Sequence, residues 1–199
     1  LSLILAIDTS AAHCAAALLW NDNCLTRVEP MTTGQTERLA PMIAGLLADV
    51  GQDWPALTAL AVGTGPGNFT GTRIAVAFAR GVALARGIPA IGITGFETIA
   101  EAAGRPLPFW AVIAATRGQV YAQRFGETPQ APVILEEAAL ATLDAPVIRQ
   151  AMVGAAELIA ATARAALPRL SSPQPRPAPL YLRGADAAPM RDPPPRIIG

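Results

Sequence analysis

Apolar runs alternate with turn residues along the chain in a pattern that predicts strands and helices in regular succession. The first half opens with an apolar strand at residues 3–7, followed by a hairpin that turns at Asn21-Asp22-Asn23. The next predicted elements are the hairpin strands 14–20 and 24–29, a helix at 36–50, a strand at 59–62, a helix at 71–86, a strand at 90–93 and a short helix at 97–103. Glycine at positions 51 and 87 supplies the stop signals of the two long helices.

The second half repeats the order of the first six of these elements. Its predicted elements are strands at 109–115, 120–125 and 133–135, a helix at 136–143, a strand at 147–153 and a helix at 155–167. Two βββαβα units in tandem predict a duplicated α/β fold in which helices cover each sheet. We therefore expect an N-terminal unit at 1–104, a reduced C-terminal unit at 105–167 and a tail at 168–199. Nine of the nineteen prolines lie in that tail, which is expected to be extended or unfolded.

The helix at 36–50 has an outer face of small residues. Six apolar residues form the stripe that we expect to face the sheet: Leu39, Met42, Ile43, Leu46, Leu47 and Val50. The opposite face carries Ala40, Pro41, Ala44, Gly45 and Ala48. Positions that face solvent normally hold Glu, Lys or Arg, and Gly45 costs about 1 kcal/mol relative to Ala inside a helix. This face is therefore predicted to bind a partner.

The helix at 71–86 has the same character. Its predicted core stripe consists of Ile74, Phe78, Val82 and Ala85, and its far side carries Arg73, Ala77, Arg80 and Leu84. The helix dipole disfavours a cation in the first turn, so the position of Arg73 predicts an acidic partner. The alternative is that helices of the other half of the chain cover both outer faces.

Composition narrows the function classes. The chain has 199 residues, 52% of them hydrophobic, and no net charge, which suits a soluble protein that contacts nucleic acid only locally. All fifteen basic residues are arginine, which excludes catalysis by lysine. Cys14 and Cys24 lie too far apart on the predicted hairpin for a disulfide, and free thiols favour the cytoplasm. The apolar run at 1–7 is too short for a membrane span and lacks a basic leader.

A glycine-rich loop, Gly63-Thr-Gly-Pro-Gly-Asn-Phe-Thr-Gly-Thr-Arg73, lies between a predicted strand and a predicted helix. Loops of this kind often hold phosphate through free N–H groups, but the Walker motif would need Gly-Lys-Ser/Thr at its end. The other interpretation is that the glycines permit positive φ and close packing of the helix on its strand. Asp8, Thr9 and Ser10 leave a similar choice, between a vestigial nucleotide site and side chains that bond their own turn.

Side chains suited to catalysis or metal binding are scarce. A metal site needs several convergent His, Cys or carboxylate ligands, and the chain has a single histidine, His13. A Ser-His-Asp triad would have to use that histidine, and nothing like a nucleophile elbow surrounds the nearby Ser10. The sequence therefore predicts neither catalytic residues nor a metal site.

Three motifs carry a resemblance to a known family. Ile4-Leu-Ala-Ile-Asp-Thr-Ser10, Gly65-Pro-Gly-Asn-Phe-Thr-Gly71 with Arg73, and Pro179-Leu-Tyr-Leu-Arg183 resemble the motifs of the bacterial TsaB (YeaZ) family, in the same order. The resemblance implies a duplicated fold of the actin/hexokinase-like (ASKHA) type. The residues of the loop that match the family motif are Gly65, Pro66, Gly67, Phe69, Thr70, Gly71 and Arg73.

The resemblance also implies a function, which is the synthesis of threonylcarbamoyladenosine next to the anticodon of tRNA. In that family the protein is a non-catalytic, dimerising scaffold for TsaD, which carries the active site, and the ATPase TsaE joins the assembly. We expect a homodimer when the partner is absent, contact with tRNA only through the complex, and no cofactor other than ATP or ADP at an interface of the complex. The alternatives are a small actin-fold kinase or acyltransferase that uses ATP, and a peptidase of the glycoprotease type, for which the chain lacks the residues.

Two positions depart from the family pattern. The family often has His before the Ser or Thr that starts the first long helix, where this chain has Gln35 before Thr36. It often has Asp at the end of the strand that opens the second half, where this chain has Ala114, so a carboxylate that could coordinate magnesium nucleotide is missing. The sequence leaves open the effect of both departures, the choice between homodimer and heterodimer, the binding of a nucleotide and any contact of the tail with RNA.

Overall fold

Two β-sheets and the helices packed on them make up the structure, a computed structural model that describes residues 2–104 and 106–183. Within those ranges the strands are β1 (Leu3–Asp8), β2 (His13–Trp20), β3 (Asn23–Pro30), β4 (Ala59–Gly63), β5 (Ala90–Ile93), β6 (Phe109–Ala114), β7 (Gln119–Phe125), β8 (Val133–Glu136) and β9 (Val147–Arg149). The α-helices are α1 (Gln35–Asp49), α2 (Phe69–Arg86), α3 (Gly95–Ala103) and α4 (Ala155–Ala166). Short 3₁₀ helices span Trp54–Ala56, Glu137–Thr142, Gln150–Met152 and Leu167–Arg169.

The two sheets share one topology. The first sheet has the order β3-β2-β1-β4-β5, and its central strand β1 runs antiparallel to β2 and parallel to β4. The second sheet has the order β8-β7-β6-β9, and β6 likewise runs antiparallel to β7 and parallel to β9. This repetition confirms the predicted duplicated α/β architecture, in which each unit opens with three antiparallel strands.

Both faces of the first sheet are buried. Successive residues of a strand point to opposite faces, so Leu5 and Ile7 pack beneath α1 and α2 while Ile4 and Ala6 pack against the other side. The helix on that other side is α4, which contributes Ile159, Ala163 and Ala166 to the core. The helix α4, from the second half of the chain, therefore covers the first sheet, on the side away from α1 and α2.

The helix α3 packs in the reciprocal way. It follows β5 of the first sheet, yet its Phe96 and Ile99 pack on Phe109 and Ile113 of the second sheet. Consequently α3 and α4 lie side by side. The hydroxyls of Thr98 and Thr162, one on each helix, share a buried hydrogen bond of 3.0 Å at this contact.

The core stripe predicted for α1 is confirmed. Five of its six members are buried, and Val50, which follows the last residue of the helix, packs partly buried against the same core. The predicted free thiols are also confirmed, because Cys14 and Cys24 form no disulfide. Burial raises the pKa of the Cys14 thiol to about 11, so this side chain behaves as a core residue.

The core stripe predicted for α2 was wrong. The buried residues of this helix are Gly71, Thr72, Ala75, Val76 and Ala79, whereas Ile74, Phe78 and Val82 are half-buried and Ala85 is exposed. Two adjacent sides of α2 are apolar, one with small and one with large side chains, so the pattern alone favoured the larger ones. The structure places the smaller ones on the sheet because the first turn of α2 lies against the backbone of the turn after β1.

Two predictions for the second half also need correction. The helix predicted at 136–143 is the 3₁₀ helix Glu137–Thr142, and Leu140 is its one buried residue. A segment with a single apolar anchor has no stripe with which to bind an α-helix to the sheet. The strand predicted at 147–153 ends at Arg149 and continues as a 3₁₀ turn.

The described part of the proline-rich tail crosses both halves of the molecule. Residues 170–183, which we call the C-terminal strap, contain no α-helix or strand, as predicted. Leu180 donates its N–H to the carbonyl oxygen of Thr64 at 2.8 Å, and Leu180 and Leu182 pack on the core of the second sheet. Residues 184–199 of the predicted tail lie outside the described residues. In the described ranges no helix is long and apolar enough to cross a membrane.

The corrected burial of α2 yields a matched pair of substitutions. Ala79→Glu would place a carboxylate in the core, so we expect it to lower the free energy of unfolding by about 4 kcal/mol or more. Ala85→Glu, on the exposed side of the same helix, should change it by no more than about 0.5 kcal/mol. Urea denaturation followed by circular dichroism measures both. Equal losses in the two variants would contradict the helix orientation described above.

Candidate functional site

The glycine-rich loop is filled by the turn that follows β1. Thr9 is fully buried there, and its hydroxyl donates a 2.6 Å hydrogen bond to the carbonyl oxygen of Gly71. The N–H of Asn68 donates to the carbonyl oxygen of Ser10 at 2.6 Å. Two of the three family motifs are thus bound directly to each other.

The start of α2 is capped from within the chain. The side-chain oxygen of Asn68 accepts a hydrogen bond of 2.7 Å from the N–H of Gly71, and its carbonyl oxygen accepts one of 2.9 Å from the N–H of Thr72. A phosphate site at a helix N-terminus uses free N–H groups of this kind. Here the N–H groups of residues 68, 71 and 72 are already paired.

Close backbone approach explains the glycines of the loop. A Cβ at Gly71 would overlap the carbonyl oxygen of Thr9, and a Cβ at Gly67 would overlap that of Ser10. Positive φ, the other reason expected for these glycines, applies within the loop only to Gly65, at +83°. The loop glycines therefore serve mainly to let α2 lie against the first turn.

Asp8 bonds its own turn. One oxygen of its carboxylate accepts hydrogen bonds from the N–H and the hydroxyl of Ser10 at 2.7 and 2.8 Å. The same oxygen lies 3.6 Å from Nε2 of His13. This geometry is that of an Asx turn, one of the two interpretations that the sequence left open. The vestigial nucleotide site at Asp8, Thr9 and Ser10 stays a prediction.

The third motif reaches the second through Arg73. The guanidinium of Arg73 lies 3.6 Å from the centre of the Phe69 ring and 5.6 Å from that of Tyr181. Its Nε donates to the Tyr181 hydroxyl at 2.7 Å, and the two rings are 5.5 Å apart. The sequence marks Tyr181 only as part of a motif, since no pattern in it indicates a contact with a residue 108 positions away.

The strap also holds the second sheet. Arg183 donates from Nη1 to the hydroxyl of Thr116 at 2.9 Å and from Nη2 to the carbonyl oxygen of the same residue at 3.3 Å. It also bonds the side chain of Gln119. Both partners belong to the turn and strand that follow β6, so the strap joins the loop of the first sheet to the second sheet.

The outer faces of α1 and α2 lie at the surface. We use the name partner face for the nine predicted residues: Ala40, Pro41, Ala44, Gly45, Ala48, Arg73, Ala77, Arg80 and Leu84. Eight of them are exposed, and Leu84 is 84% exposed. The alternative that the other half of the chain covers these helices is wrong for the described residues, because α4 lies on the opposite side of the sheet.

Gly45 differs from the other members of the partner face. It is half-buried, and a Cβ there would lie 2.6 Å from Nη1 of Arg27. That arginine is held over the glycine by an ion pair of 2.5 Å with Asp49. Position 45 therefore accommodates a side chain of the chain itself, a contact that the helical pattern did not reveal.

The exposed side of α2 with Arg73, Ala77, Arg80 and Leu84 forms a ridge. Two grooves flank this ridge. The groove toward α1 has a volume of about 500 Å³, and among its lining residues are Leu39, Ile74, Ala77 and Phe78. The groove toward the strap has a volume of about 430 Å³, and its lining includes Arg80, Pro179 and Tyr181. The Phe69 and Tyr181 side chains, 51% and 48% exposed, stand beside these grooves. The arrangement offers apolar hollows around a ridge that carries arginine.

The remaining predicted features lie apart from this face. Gln35 is buried, and its side-chain amide donates to the carbonyl oxygen of Met31 at 3.2 Å. Ala114 is exposed at the end of β6. In the described residues no group of three or more His, Cys, Asp or Glu side chains could hold a metal ion.

Comparison with family models places most of the chain in one family. Residues 30–183 match the model described as TsaD, tRNA N6-adenosine threonylcarbamoyltransferase. The TsaB protein of Escherichia coli (tRNA threonylcarbamoyladenosine biosynthesis protein TsaB) is 39% identical over 122 residues, which are 59% of this chain and 52% of that protein. The chain spans about half the length of this curated relative. An uncharacterized protein of Mycobacterium bovis is 31% identical over 210 residues, and the match covers 96% of both chains.

Solved structures show the same likeness. YeaZ from Pseudomonas aeruginosa is 25% identical, with a TM-score of 0.75 over 92% of this chain and 100% of its own. A second structure, described as an uncharacterized protein from P. aeruginosa with similarity to peptidase YeaZ, gives a TM-score of 0.76 with the same identity and coverage. Together with the duplicated sheets, these matches confirm the predicted actin/hexokinase-like fold. The chain belongs to the TsaB (YeaZ) group within the family of TsaD-type tRNA threonylcarbamoyltransferase proteins.

Proposed function

We propose that this chain is a non-catalytic scaffold subunit that pairs with a TsaD-type catalytic subunit in threonylcarbamoylation of the tRNA adenosine next to the anticodon. The curated relatives named TsaB support the pathway, since that name refers to threonylcarbamoyladenosine biosynthesis. The observation that carries the scaffold role is the exposed partner face on α1 and α2. In this proposal residues 1–104 supply the binding helices, 105–167 form the reduced second unit, and a TsaE-type ATPase and the tRNA join through the complex.

The partner face is suited to a close helix contact. Its exposed alanines, with Pro41, carry no charge and little bulk, so another helix can approach the backbone of α1. On α2 the side chain of Leu84 projects into solvent, where an apolar group of this size loses the free energy of burial. Exposed apolar groups of this size and number favour an interaction site.

The family match indicates what kind of partner would fit. The matched residues 30–183 include both α1 and α2, so a TsaD-type subunit is expected to present equivalent helices in the same order. Two subunits with related faces can pair those helices around a pseudo-twofold axis, as identical subunits do around a true one. The result would be a bundle of four helices, with a second copy of this chain as the weaker substitute.

The loop geometry supports the absence of catalysis by the isolated chain. Thr9 and Ser10 occupy the space in which a phosphate would have to approach Gly71 and Gly67. The Asp8 carboxylate is engaged by the Ser10 N–H and hydroxyl. We infer that the three motifs hold α2 in position for its partner.

The first expectation under this proposal concerns activity. The isolated chain should hydrolyse neither ATP nor peptides above background, because lysine is absent and its loop is closed by the first turn. When a TsaD-type subunit, a TsaE-type ATPase and a threonylcarbamoyl-adenylate donor system are added, tRNA modification should depend on this chain. Phosphate release and mass spectrometry of tRNA nucleosides measure the two outcomes. Robust ATP turnover by the pure chain, lost in Asp8→Ala, would instead indicate an actin-fold kinase or acyltransferase.

The second expectation separates a packing role of the loop from phosphate binding. Gly71→Ala should lower the free energy of unfolding by about 2 to 4 kcal/mol, since the new methyl would force the Thr9 carbonyl away and strain the core. Gly81→Ala is the matched control in the same helix, where a Cβ meets open space, and it should raise stability by about 0.5–1 kcal/mol. Thermal melts and calorimetric titration with ATP test both variants. A stable Gly71→Ala protein that has lost ATP affinity would contradict the packing role.

The third expectation tests the partner face. Ala44→Glu and Leu84→Glu place a carboxylate on each helix at an exposed position, so each should weaken association with the TsaD-type subunit by about tenfold or more. The free energy of unfolding should change by no more than about 0.5 kcal/mol. Position 45 is unsuitable for this test, because a glutamate there would meet Arg27.

Ala141→Glu, exposed on the second sheet side, serves as the control and should associate like the native chain. Sedimentation velocity measures association, and circular dichroism measures folding. If folded Ala44→Glu and Leu84→Glu proteins associated at native strength, the binding surface would have to lie elsewhere.

A further inference from the structure

The exposed ridge of α2 has an uncompensated positive charge. From Phe69 to Arg86 this helix contains three arginines and no acidic residue. Arg73 and Arg80 are seven positions apart, which places them on the same side, two turns from each other. No carboxylate in residues 2–104 or 106–183 forms an ion pair with either of them.

Elsewhere the described arginines mostly pair with carboxylates of the chain. The ion pairs are Arg27–Asp49, Arg38–Glu29, Arg124–Asp144, Arg149–Glu137, Arg164 with Glu157 and Glu101, and Arg169–Glu97. Arg73 and Arg80 are exceptions, and so is Arg176 of the strap. Arg176 lines the same hollow as Arg80 and Leu84. Arg73, Arg80 and Arg176 thus lie together near the partner face without a carboxylate partner among the described residues, in a chain with fifteen acidic and fifteen basic residues.

Arg73 is also held in place before any partner arrives. Its guanidinium lies on the Phe69 ring and donates from Nε to the Tyr181 hydroxyl, which leaves the two terminal nitrogens to bind an acceptor. A guanidinium fixed on aromatic rings loses less rotamer freedom on binding, and Arg and Tyr are frequent among the residues that dominate interface energies.

A symmetric pair of α2 helices would bring like charges together. Ala77 lies midway between the two arginines and has only a methyl side chain, so a second helix can approach closely there. An antiparallel pair centred there sets Arg73 of one copy within about a turn of Arg80 of the other. A parallel pair sets each arginine against its own equivalent. The exposed carboxylate of Glu37 on α1 is a single charge and cannot offset two arginines.

We propose that Arg73 and Arg80 act as a specificity pair, selecting a partner whose facing helix carries carboxylates and disfavouring a second copy of this chain. The inference rests on the proposed function for the location of the interface, and it adds the charge that the partner must present. Apolar contacts around the ridge would be available to either partner, whereas the arginines discriminate between them.

The substitution Arg80→Glu tests this inference because its expected effects on the two associations have opposite signs. Association with the TsaD-type subunit should weaken at least tenfold. Self-association should strengthen, because the carboxylate introduced at position 80 of one copy would then face Arg73 of the other. Both effects should shrink when salt is raised from about 0.05 to 0.5 M, since screening shortens the range of charge interactions. Sedimentation equilibrium of the full chain, alone and with the partner, measures both constants.

Two controls complete the experiment. Arg80→Gln should give intermediate values in both associations. Arg86→Glu changes an arginine of the same helix that donates to the carbonyl oxygen of Pro55, and it should leave both associations within about twofold of the native values. If Arg80→Glu weakened both associations, or changed neither, the specificity role would be overturned. If the native chain failed to bind the TsaD-type subunit at all, the proposed function would be wrong. The self-association constants of the native chain and of Arg80→Glu would still show whether the arginines disfavour a second copy.

Discussion

The contact between the first turn and the start of α2 determines where that helix lies, and the rest of the surface depends on it. Thr9 donates to the carbonyl oxygen of Gly71, and glycine at that position lets the two backbones meet. Beneath a helix held so close, only small side chains such as Ala75 and Ala79 fit against the sheet. The larger apolar side chains are consequently left at the rim and on the outside. One contact therefore packs the loop against the first turn and leaves larger apolar side chains toward the outer surface.

The sequence predicted the orientation of a helix correctly where its apolar residues allow only one orientation on the sheet. In α1 the large apolar residues form one stripe and small ones form the other, so only one orientation buries the stripe, and Leu39 to Leu47 lie as predicted. In α2 two adjacent sides are apolar, and the contact that decides between them joins residues 62 positions apart. Periodicity contains no information about such a contact, so the orientation of α2 was missed. The helix content of the second unit was overestimated for a related reason, since one buried residue, Leu140, cannot hold an α-helix on the sheet.

The candidate site was likewise predicted only in part. The motifs marked the loop, but their relation in space could not be derived from their order in the chain. Two contacts between distant segments, of Tyr181 with Arg73 and of Arg27 with Gly45, could not be seen in the helical pattern. Each changes the role that the pattern suggested for a residue of the partner face. Arg73 appeared in the sequence as a cation misplaced at a helix start. The aromatic rings of Phe69 and Tyr181 supply the favourable surroundings that the helix dipole denies it.

The C-terminal strap has the character of a strand that belongs to neither sheet. Leu180 and Leu182 pack on the core, and the alternate residues Tyr181 and Arg183 make polar contacts. Leu180, bonded to Thr64 after β4, and Arg183, bonded to Thr116 after β6, are only three residues apart, so covalent geometry limits how far the two sheets can separate here. A subunit that binds α2 through Arg73 would therefore be coupled to the position of the second sheet, although it contacts none of the strands of that sheet.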